Sequence, residues 1–468
     1  MTGRRIGFWL GLAAFALTLL LPPPGGMPQP AWYAAGLVVW MAAWWMTEAI
    51  PLYATALLPF IVLPLTGVAD ANASAAAYYS PIIFLFTGGA FLALAIERTG
   101  LHTRLALFIM HFAGARPWQL LLGVMMATAI LSMVISNTST ALIMMPMGLA
   151  ILAAGGVRPG ETHGMAGALP MGIAFAASIG GLGTMIGTPT NALAVGLIER
   201  TLHVHISFLE WTLYGLPLVL LGVPLAAFIL GKVQRVSEQG FDPRAARAAI
   251  GERGPWSVAE KRLVVVVALA MLAWMSQPWT EPLFPKGGLT DGTIAAIAGL
   301  SMFLIPDGTG RKMLRWPEAN RAPWDVVLMF GGGLALAMGM TESGLAAWLG
   351  EALLPLAAVP PFVMAVLVVA FVILITEFAS NIATASGIMP VVAALAPSMQ
   401  ADPLLLALPA AMASTWGFML PAGTGPNALA WATGHLTLKR MITAGLWIDL
   451  FGAFAIVSVV WAMHLVLA

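Results

Sequence analysis

The chain has 468 residues, 60% of them hydrophobic and only 9% charged, with a net charge of +1 and a mean hydropathy of +0.91. A typical soluble domain carries roughly 25% charged residues, so this composition leaves too little polar surface to face water and points to a polytopic, all-α membrane protein. The near-neutral charge offers no surface for nucleic acid, and the absence of cysteine excludes disulfides, thiol catalysis, iron–sulfur ligation and cysteine-bound zinc.

Apolar runs near 20 residues, rather than alternating ten-residue strands, argue against an outer-membrane barrel. In chain order, about 11 full transmembrane helices are predicted, over 6–21, 31–49, 51–68, 81–98, 164–198, 208–231, 262–279, 290–306, 324–343, 403–434 and 441–467. The first follows Arg4–Arg5 and imitates a signal peptide. It runs to Leu21 and meets Pro22–Pro23–Pro24 without a small-residue cleavage site, so it is expected to be a retained span. Two further apolar stretches, 118–155 and 361–397, have a polar break at the centre and read as re-entrant hairpins. Segments 99–117 and 344–358 are short and amphipathic and are expected to lie along the membrane surface. The charged stretch 232–262 reads as a cytoplasmic linker. The expected organisation is an N-terminal span and outer loop at 1–30, a first half at 31–233, the linker at 234–261 and a second half at 262–468.

With the N-terminus inside and each hairpin returning to its own side, the positive-inside rule is well obeyed. Arg4, Arg5, Arg98, Arg104, Arg116, Arg158, seven basic residues from Lys232 to Arg262, Arg311, Lys312, Arg315, Arg321, Lys439 and Arg440 fall inside, leaving only Arg200 and Lys286 outside. The C-terminus is then extracytoplasmic, and a cell (inner) membrane is the expected location.

An internal repeat supports the division. "SNTSTALIMMP" at 136–146 matches "SNIATASGIMP" at 380–390, "GTPTNALA" at 187–194 matches "GTGPNALA" at 423–430, and "FTGGAFLALAIERTGL" at 86–101 matches "FGGGLALAMGMTESGL" at 330–345. The offsets are 244, 236 and 244, in the same order. Five crossings and one hairpin per half make the halves opposite in orientation, an inverted-topology repeat of the kind common in secondary transporters.

The repeated polar blocks fall at two hairpin tips and at two Gly/Pro breaks within spans. Backbone groups exposed at such interruptions are costly in hydrocarbon. N–H groups at helix starts suit an anion, and C=O groups at helix ends suit a cation. Ser136, Asn137 and Thr138, with Ser380 and Asn381, supply polar side chains at the tips. Opposite them, Gly187–Thr188–Pro189–Thr190–Asn191 and Gly423–Thr424–Gly425–Pro426–Asn427 break their helices. The pattern suits two small hard cations, one per half, with an anion between them. Few ionisable residues fall at membrane depth. Glu48, Asp325 and Asp449 are expected near span ends, and Glu377 just before the second tip. His203–Val204–His205 reads as an outer loop. No Walker A, nucleophile-elbow or zinc-helix motif is present.

These tips, the "TEFASN" string at 376–381 and the breaks at 187–191 and 423–427 resemble those of the divalent anion/sodium symporter family of dicarboxylate, citrate and sulfate transporters. The resemblance implies a homodimer with a static scaffold domain and a transport domain that moves as an elevator. It implies sodium ions at Ser132, Ser136, Asn137 and Gly187 and at Thr376, Ala379, Asn381 and Gly423. It implies substrate contacts from Ser136, Asn137, Thr138, Thr188, Pro189, Ser380, Asn381, Thr424 and Pro426. One departure stands out: Ile382 occupies the place of a threonine at the second tip. The breaks also read Thr-Pro-Thr-Asn and Thr-Gly-Pro-Asn in place of Thr-Pro-Pro-Asn. The expected function is sodium-coupled import of a small anion of the succinate, malate or fumarate type. A sodium-independent exchanger, and a sulfate or other oxyanion transporter on the same fold, are the alternatives.

Overall fold

Proline, glycine and hydroxyl residues punctuate the apolar runs and set the helix boundaries. The computed structural model describes residues 3–111, 114, 116–236, 241–248, 254–352, 359–396 and 401–467; parts of the segments predicted at 99–117, 232–262, 344–358 and 361–397 lie outside them. The first part of the chain forms α1 (Gly3–Leu20), α2 (Gln29–Thr47), α3 (Leu52–Thr55), α4 (Leu58–Leu65), α5 (Ala71–Ala77), α6 (Pro81–Thr99) and α7 (Leu101–His111). A first hairpin, α8 (Pro117–Ser132) and α9 (Asn137–Ala154), precedes α10 (Met165–Gly181), α11 (Pro189–Leu202) and α12 (Phe208–Val233). After α13 (Pro243–Ala248) come α14 (Val258–Thr280), α15 (Asp291–Ser301), α16 (Trp316–Ala319), α17 (Trp324–Glu342) and α18 (Leu345–Ala352). A second hairpin, α19 (Pro361–Thr376) and α20 (Asn381–Leu395), leads to α21 (Leu404–Ala413), α22 (Gly425–Ala432) and α23 (Leu438–Leu467).

Six single helices among the described residues are long and apolar enough to cross a membrane. They are α1, α6, α12, α17, α23 and the hairpin arm α9; of the other predicted spans, α2 and α14 are continuous helices of 19 and 23 residues, α15 is short and the rest are interrupted. The span predicted at 164–198 is α10 plus α11, and that at 403–434 is α21 plus α22, each broken where the Gly/Pro block falls. The span predicted at 51–68 is also split, into α3 and α4, with Pro59 in the first turn of α4. The Ala56 carbonyl freed at that split accepts from Tyr78 Oη at 2.6 Å. Gly332 of α17 makes room for it, since a Cβ there would stand 2.6 Å from the same carbonyl oxygen.

All 17 residues of α10 are buried, as expected of a helix apolar all round. It packs on both arms of the first hairpin and on α12 and α22. The first tip therefore meets the break between α10 and α11, where a Cβ on Gly181 would touch Asn137 and one on Gly187 the Ser132 carbonyl. Hydroxyl caps fix the helix starts elsewhere: Ser207 and Glu210 close a capping box on α12, and Ser257 and Glu260 one on α14.

Ion pairs join loops predicted to share the cytoplasmic face. Arg104 Nε donates to Glu260 Oε1 at 3.1 Å. Arg98 donates to Asp307 and to the carbonyls of Lys312 and Met313. Burial on its own raises the Asp307 carboxyl, but hydrogen bonds from Arg98 and Thr309 outweigh it and hold the group well below the usual carboxylate range. Arg98→Ala removes the close cation from this carboxylate, leaving Thr309 and the more distant Arg311, and is expected to cost about 1–3 kcal/mol, seen as a lower melting temperature in detergent at pH 7. Because the folded pKa lies below the unfolded value of about 4, the contribution is complete above that pH and is lost as pH falls through the folded value. Equal melting of the two proteins at pH 7 would contradict the assignment.

Candidate functional site

Four helices start at one place. Ser136 caps α9, Thr188 precedes α11, Ser380 caps α20 and Thr424 caps α22. The capping hydroxyls accept from the first turn: Ser136 Oγ from Ser139 N at 3.4 Å, Ser380 Oγ from Ala383 N at 3.3 Å and Thr424 Oγ1 from Asn427 N at 3.2 Å. Thr188 makes no such side-chain bond. The four starts face a single cavity of about 540 Å³. All nine residues expected to contact substrate line it: Ser136, Asn137, Thr138, Thr188, Pro189, Ser380, Asn381, Thr424 and Pro426. Thr138 of one half lies over Gly425 of the other, where a Cβ would stand 2.5 Å from its Oγ1. Ile382 also lines the cavity, as do Trp45, Met46, Thr47 and Glu48 from the end of α2. Glu48 is the ionisable residue on this wall; it ends α2 in the left-handed conformation and pairs with Arg4 at 3.3 Å.

Of the residues expected to hold cations, Ser136, Asn137, Ala379, Asn381 and Gly423 reach the cavity wall. Ser132, Gly187 and Thr376 lie behind it, buried. There the two halves repeat one arrangement. Ser132 Oγ stands 2.6 Å from the Ala177 carbonyl and 2.9 Å from Asn137 Oδ1. Thr376 Oγ1 stands 2.8 Å from the Ser414 carbonyl and 3.0 Å from Asn381 Oδ1. One hydroxyl proton thus faces two acceptors in each half.

The breaks add more oxygen. Asn191 Nδ2 donates to the carbonyls of Gly181 at 2.7 Å and Thr184 at 2.9 Å. Asn427 Nδ2 donates to those of Gly417 at 3.3 Å and Leu420 at 3.1 Å. Asn191 Oδ1 and Asn427 Oδ1 are both buried with no donor. Sequence reasoning placed these asparagines in the breaks but not among the site residues; their identity across the repeat was the available signal. Glycine allows the oxygens to crowd: a Cβ on Gly187 would stand 2.4 Å from the Gly181 carbonyl and 2.9 Å from that of Ser132. Surplus buried acceptors repeated at two symmetric places fit a small hard cation.

One expectation changes. Asp449 does not lie near a span end: α23 starts at Leu438, and Asp449 sits well inside that helix and is buried. A single carboxyl in a long apolar run carries no sign of its depth. His203 and His205 lie in an exposed loop, as read from the sequence, and His205 Nδ1 stands 3.1 Å from Glu199 Oε1.

If the hydroxyls organise these acceptors, Ser132→Ala and Thr376→Ala each remove the hydrogen bond that ties a tip asparagine to the carbonyl behind it. Each substitution is expected to cost about 1–3 kcal/mol, measured by thermal unfolding in detergent. Unchanged melting in both variants would show that the hydroxyls do not hold the tips to the breaks.

Residues 4–468 match the family model described as the sodium:sulfate symporter transmembrane region. A protein of Staphylococcus saprophyticus described as the sodium-dependent dicarboxylate transporter SdcS is 39% identical over 476 residues, which covers 98% of this chain and 91% of the relative. The protein of that name from Staphylococcus aureus strain MRSA252 is 39% identical over 483 residues, with the same coverage. The crystal structure of the Alcanivorax borkumensis YdaH transporter, described as having an unusual topology, superposes with a TM-score of 0.58 at 16% identity, covering 99% of this chain and 98% of that one. This last likeness concerns the fold alone. The match along almost the whole chain, and the shared length with those relatives, place this protein in the sodium:sulfate symporter family, the divalent anion/sodium symporters, and make it a multi-pass membrane transporter rather than an enzyme.

Proposed function

We propose that the chain imports small di- or tricarboxylates of the succinate, malate or fumarate type, coupled to sodium. The observation that carries this reading is the convergence of four helix N-termini on one cavity, with an acceptor-rich pocket behind each tip. Helix starts favour an anion through free N–H groups and the helix dipole, and no cationic side chain stands on the cavity wall. The anion is therefore held by dipoles, hydroxyls and nearby sodium. Sodium at Ser132, Ser136, Asn137 and Gly187, and at Thr376, Ala379, Asn381 and Gly423, neutralises the surplus oxygens. It also steadies the tips for substrate carboxylates at Ser136, Asn137, Thr138, Thr188, Pro189, Ser380, Asn381, Thr424 and Pro426. The names of the two staphylococcal relatives support sodium and a dicarboxylate.

The chain divides at the linker 234–261 into two inverted halves. The hairpins, breaks, α12 and α23 travel as a transport domain against a scaffold that includes α2, α6, α14, α15 and α17, in a homodimer of the inner membrane. The N-terminus is cytoplasmic. Glu48 and Pro323 stand on the cavity wall, beside the Arg4 and Arg321 that the positive-inside rule assigns to the cytoplasm, which favours an inward-facing reading of this conformation.

Uptake of labelled succinate into proteoliposomes, empty or preloaded with succinate, tests the reading. Uptake into empty vesicles driven by an inward sodium gradient is expected. Uptake confined to preloaded vesicles and indifferent to sodium would make the protein an exchanger. Asn137→Ala and Asn381→Ala are each expected to abolish sodium-driven uptake in folded protein; intact uptake in both would refute the site. Ile382→Thr restores a hydroxyl at the second tip. A hydrogen bond to a charged group contributes about 1.5–3 kcal/mol, so the apparent affinity for succinate is expected to rise about ten-fold or more. An unchanged affinity would place the substrate away from Ile382.

A further inference from the structure

Every residue expected to contact the anion comes from a hairpin tip or a break, but the cavity has another wall. Trp45, Met46, Thr47 and Glu48 complete it from the end of α2. No glycine follows α2 to end it; the chain continues Glu48–Ala49–Ile50–Pro51. Glu48 takes the terminating place itself, at φ 47° and ψ 44°, with its N–H donating to the Trp44 carbonyl. Such a place suits glycine and strains a residue with a Cβ. Among the described residues only Glu48, His203 and Arg235 combine a side chain with positive φ. A strained residue on a cavity wall points to a role for its side chain.

Packing then supplies a partner. Helix α1 runs against α2, with Trp44 Nε1 donating to the Phe8 carbonyl at 3.1 Å. Gly7 lets the two helices close at the end of α2, since a Cβ there would collide with the Thr47 side chain. Arg4, one turn before Gly7, is thereby set beside Glu48, and its Nη2 stands 3.3 Å from Oε2. Glu48 lines the cavity and Arg4 does not, so the pair presents its negative end to the anion. Both side chains are exposed, so their field is that of solvated charges and is weakened by salt.

The rest of this wall offers an anion nothing in compensation. Trp45 Nε1 donates to the Leu52 carbonyl at 3.0 Å, and Thr47 Oγ1 to the Ala43 carbonyl at 2.6 Å. Both donors are spent. Pro323, Phe378 and Ala422, which also line the cavity, have no polar side-chain atom. The tips and breaks can serve two carboxylate groups, one at each tip. A third would be left to the α2 wall, where it meets Glu48 and no free side-chain donor. Burying a charged group without a partner, beside a like charge, is unfavourable.

We propose that Glu48 is a specificity-determining residue: its carboxylate, on a wall whose other side-chain donors are spent, rejects a third carboxylate group and restricts the cavity to dianions, and Arg4 sets how strongly. The inference rests on the anion cavity of the proposed function and narrows its substrate from di- or tricarboxylates to dicarboxylates.

The test is calorimetric binding of succinate and of citrate to purified protein in sodium, at low and at high ionic strength, at a pH where citrate is a trianion. Wild type is compared with Glu48→Gln, Glu48→Gly and Arg4→Gln. Gln keeps the shape of Glu48 without its charge. Gly also removes the charge and suits the left-handed turn, so it is expected to fold even if the Gln variant does not. Each Glu48 variant is expected to tighten succinate about ten-fold at low salt, about three-fold for each ligand charge, and citrate about thirty-fold. Arg4→Gln is expected to weaken both ligands, citrate more. All these differences shrink at high salt. An equal gain for succinate and citrate overturns the proposal, because charge is then not what is read. Citrate that no variant binds also overturns it, because shape then excludes the tricarboxylate. A wild type that binds neither ligand in sodium overturns the proposed function, and this inference falls with it. A wild type that binds succinate, with unchanged affinity in both Glu48 variants, overturns this inference alone.

Discussion

A helix that stops at mid-depth in a bilayer leaves N–H groups unpaired at one end and C=O groups unpaired at the other, and lipid can satisfy neither. This chain stops and restarts helices at four places, two hairpin tips and two breaks, and the proposed function follows from what would have to be supplied there in a membrane. The starts of α9, α11, α20 and α22 are turned toward one cavity. The ends of α8, α10, α19 and α21 are turned away from it, toward Ser132, Asn137, Asn191 and their counterparts Thr376, Asn381 and Asn427. Donors are thereby separated from acceptors, which is the basis for the anion site and two cation sites proposed here, with no basic side chain on the cavity wall.

Coupling follows from this separation. With one hydroxyl proton between two acceptors at Ser132 and again at Thr376, and an orphaned amide oxygen at Asn191 and at Asn427, each tip is held to its break less completely than its burial demands. In the proposed function, a cation at either place removes the repulsion among the oxygens and fixes the tip whose N–H groups face the anion. Cation and anion then favour the same arrangement, which is the thermodynamic content of symport. The alternative, a preformed site with an arginine at its centre, would bind the anion whether or not the cation were present.

Much of this was legible in the sequence because the chemistry is carried by short strings. Ser-Asn at 136 and 380, and the Gly-Thr…Asn-Ala-Leu-Ala blocks at 187 and 423, are too polar for apolar spans and occur twice at nearly one offset. The structure places both strings at helix interruptions that share one cavity. What the strings do not reveal is depth and three-dimensional adjacency. Asp449 looks like an end-of-span residue because nothing in a 30-residue apolar helix marks its middle. The split at Ala56 has no glycine of its own; its signal is Gly332, in a helix far along the chain. The unsatisfied oxygens of Asn191 and Asn427 are visible only once the amide nitrogens are seen to be occupied by the break carbonyls.

The central claim is that the anion site is completed by cations, and the most direct measurement is succinate binding to purified protein by calorimetry in sodium and in choline at equal ionic strength. Succinate binding that is strong in sodium and weak or absent in choline is the predicted result, with sodium affinity raised reciprocally by succinate. Equal affinity for succinate in the two salts would show that the helix N-termini and hydroxyls suffice alone, and would contradict the account.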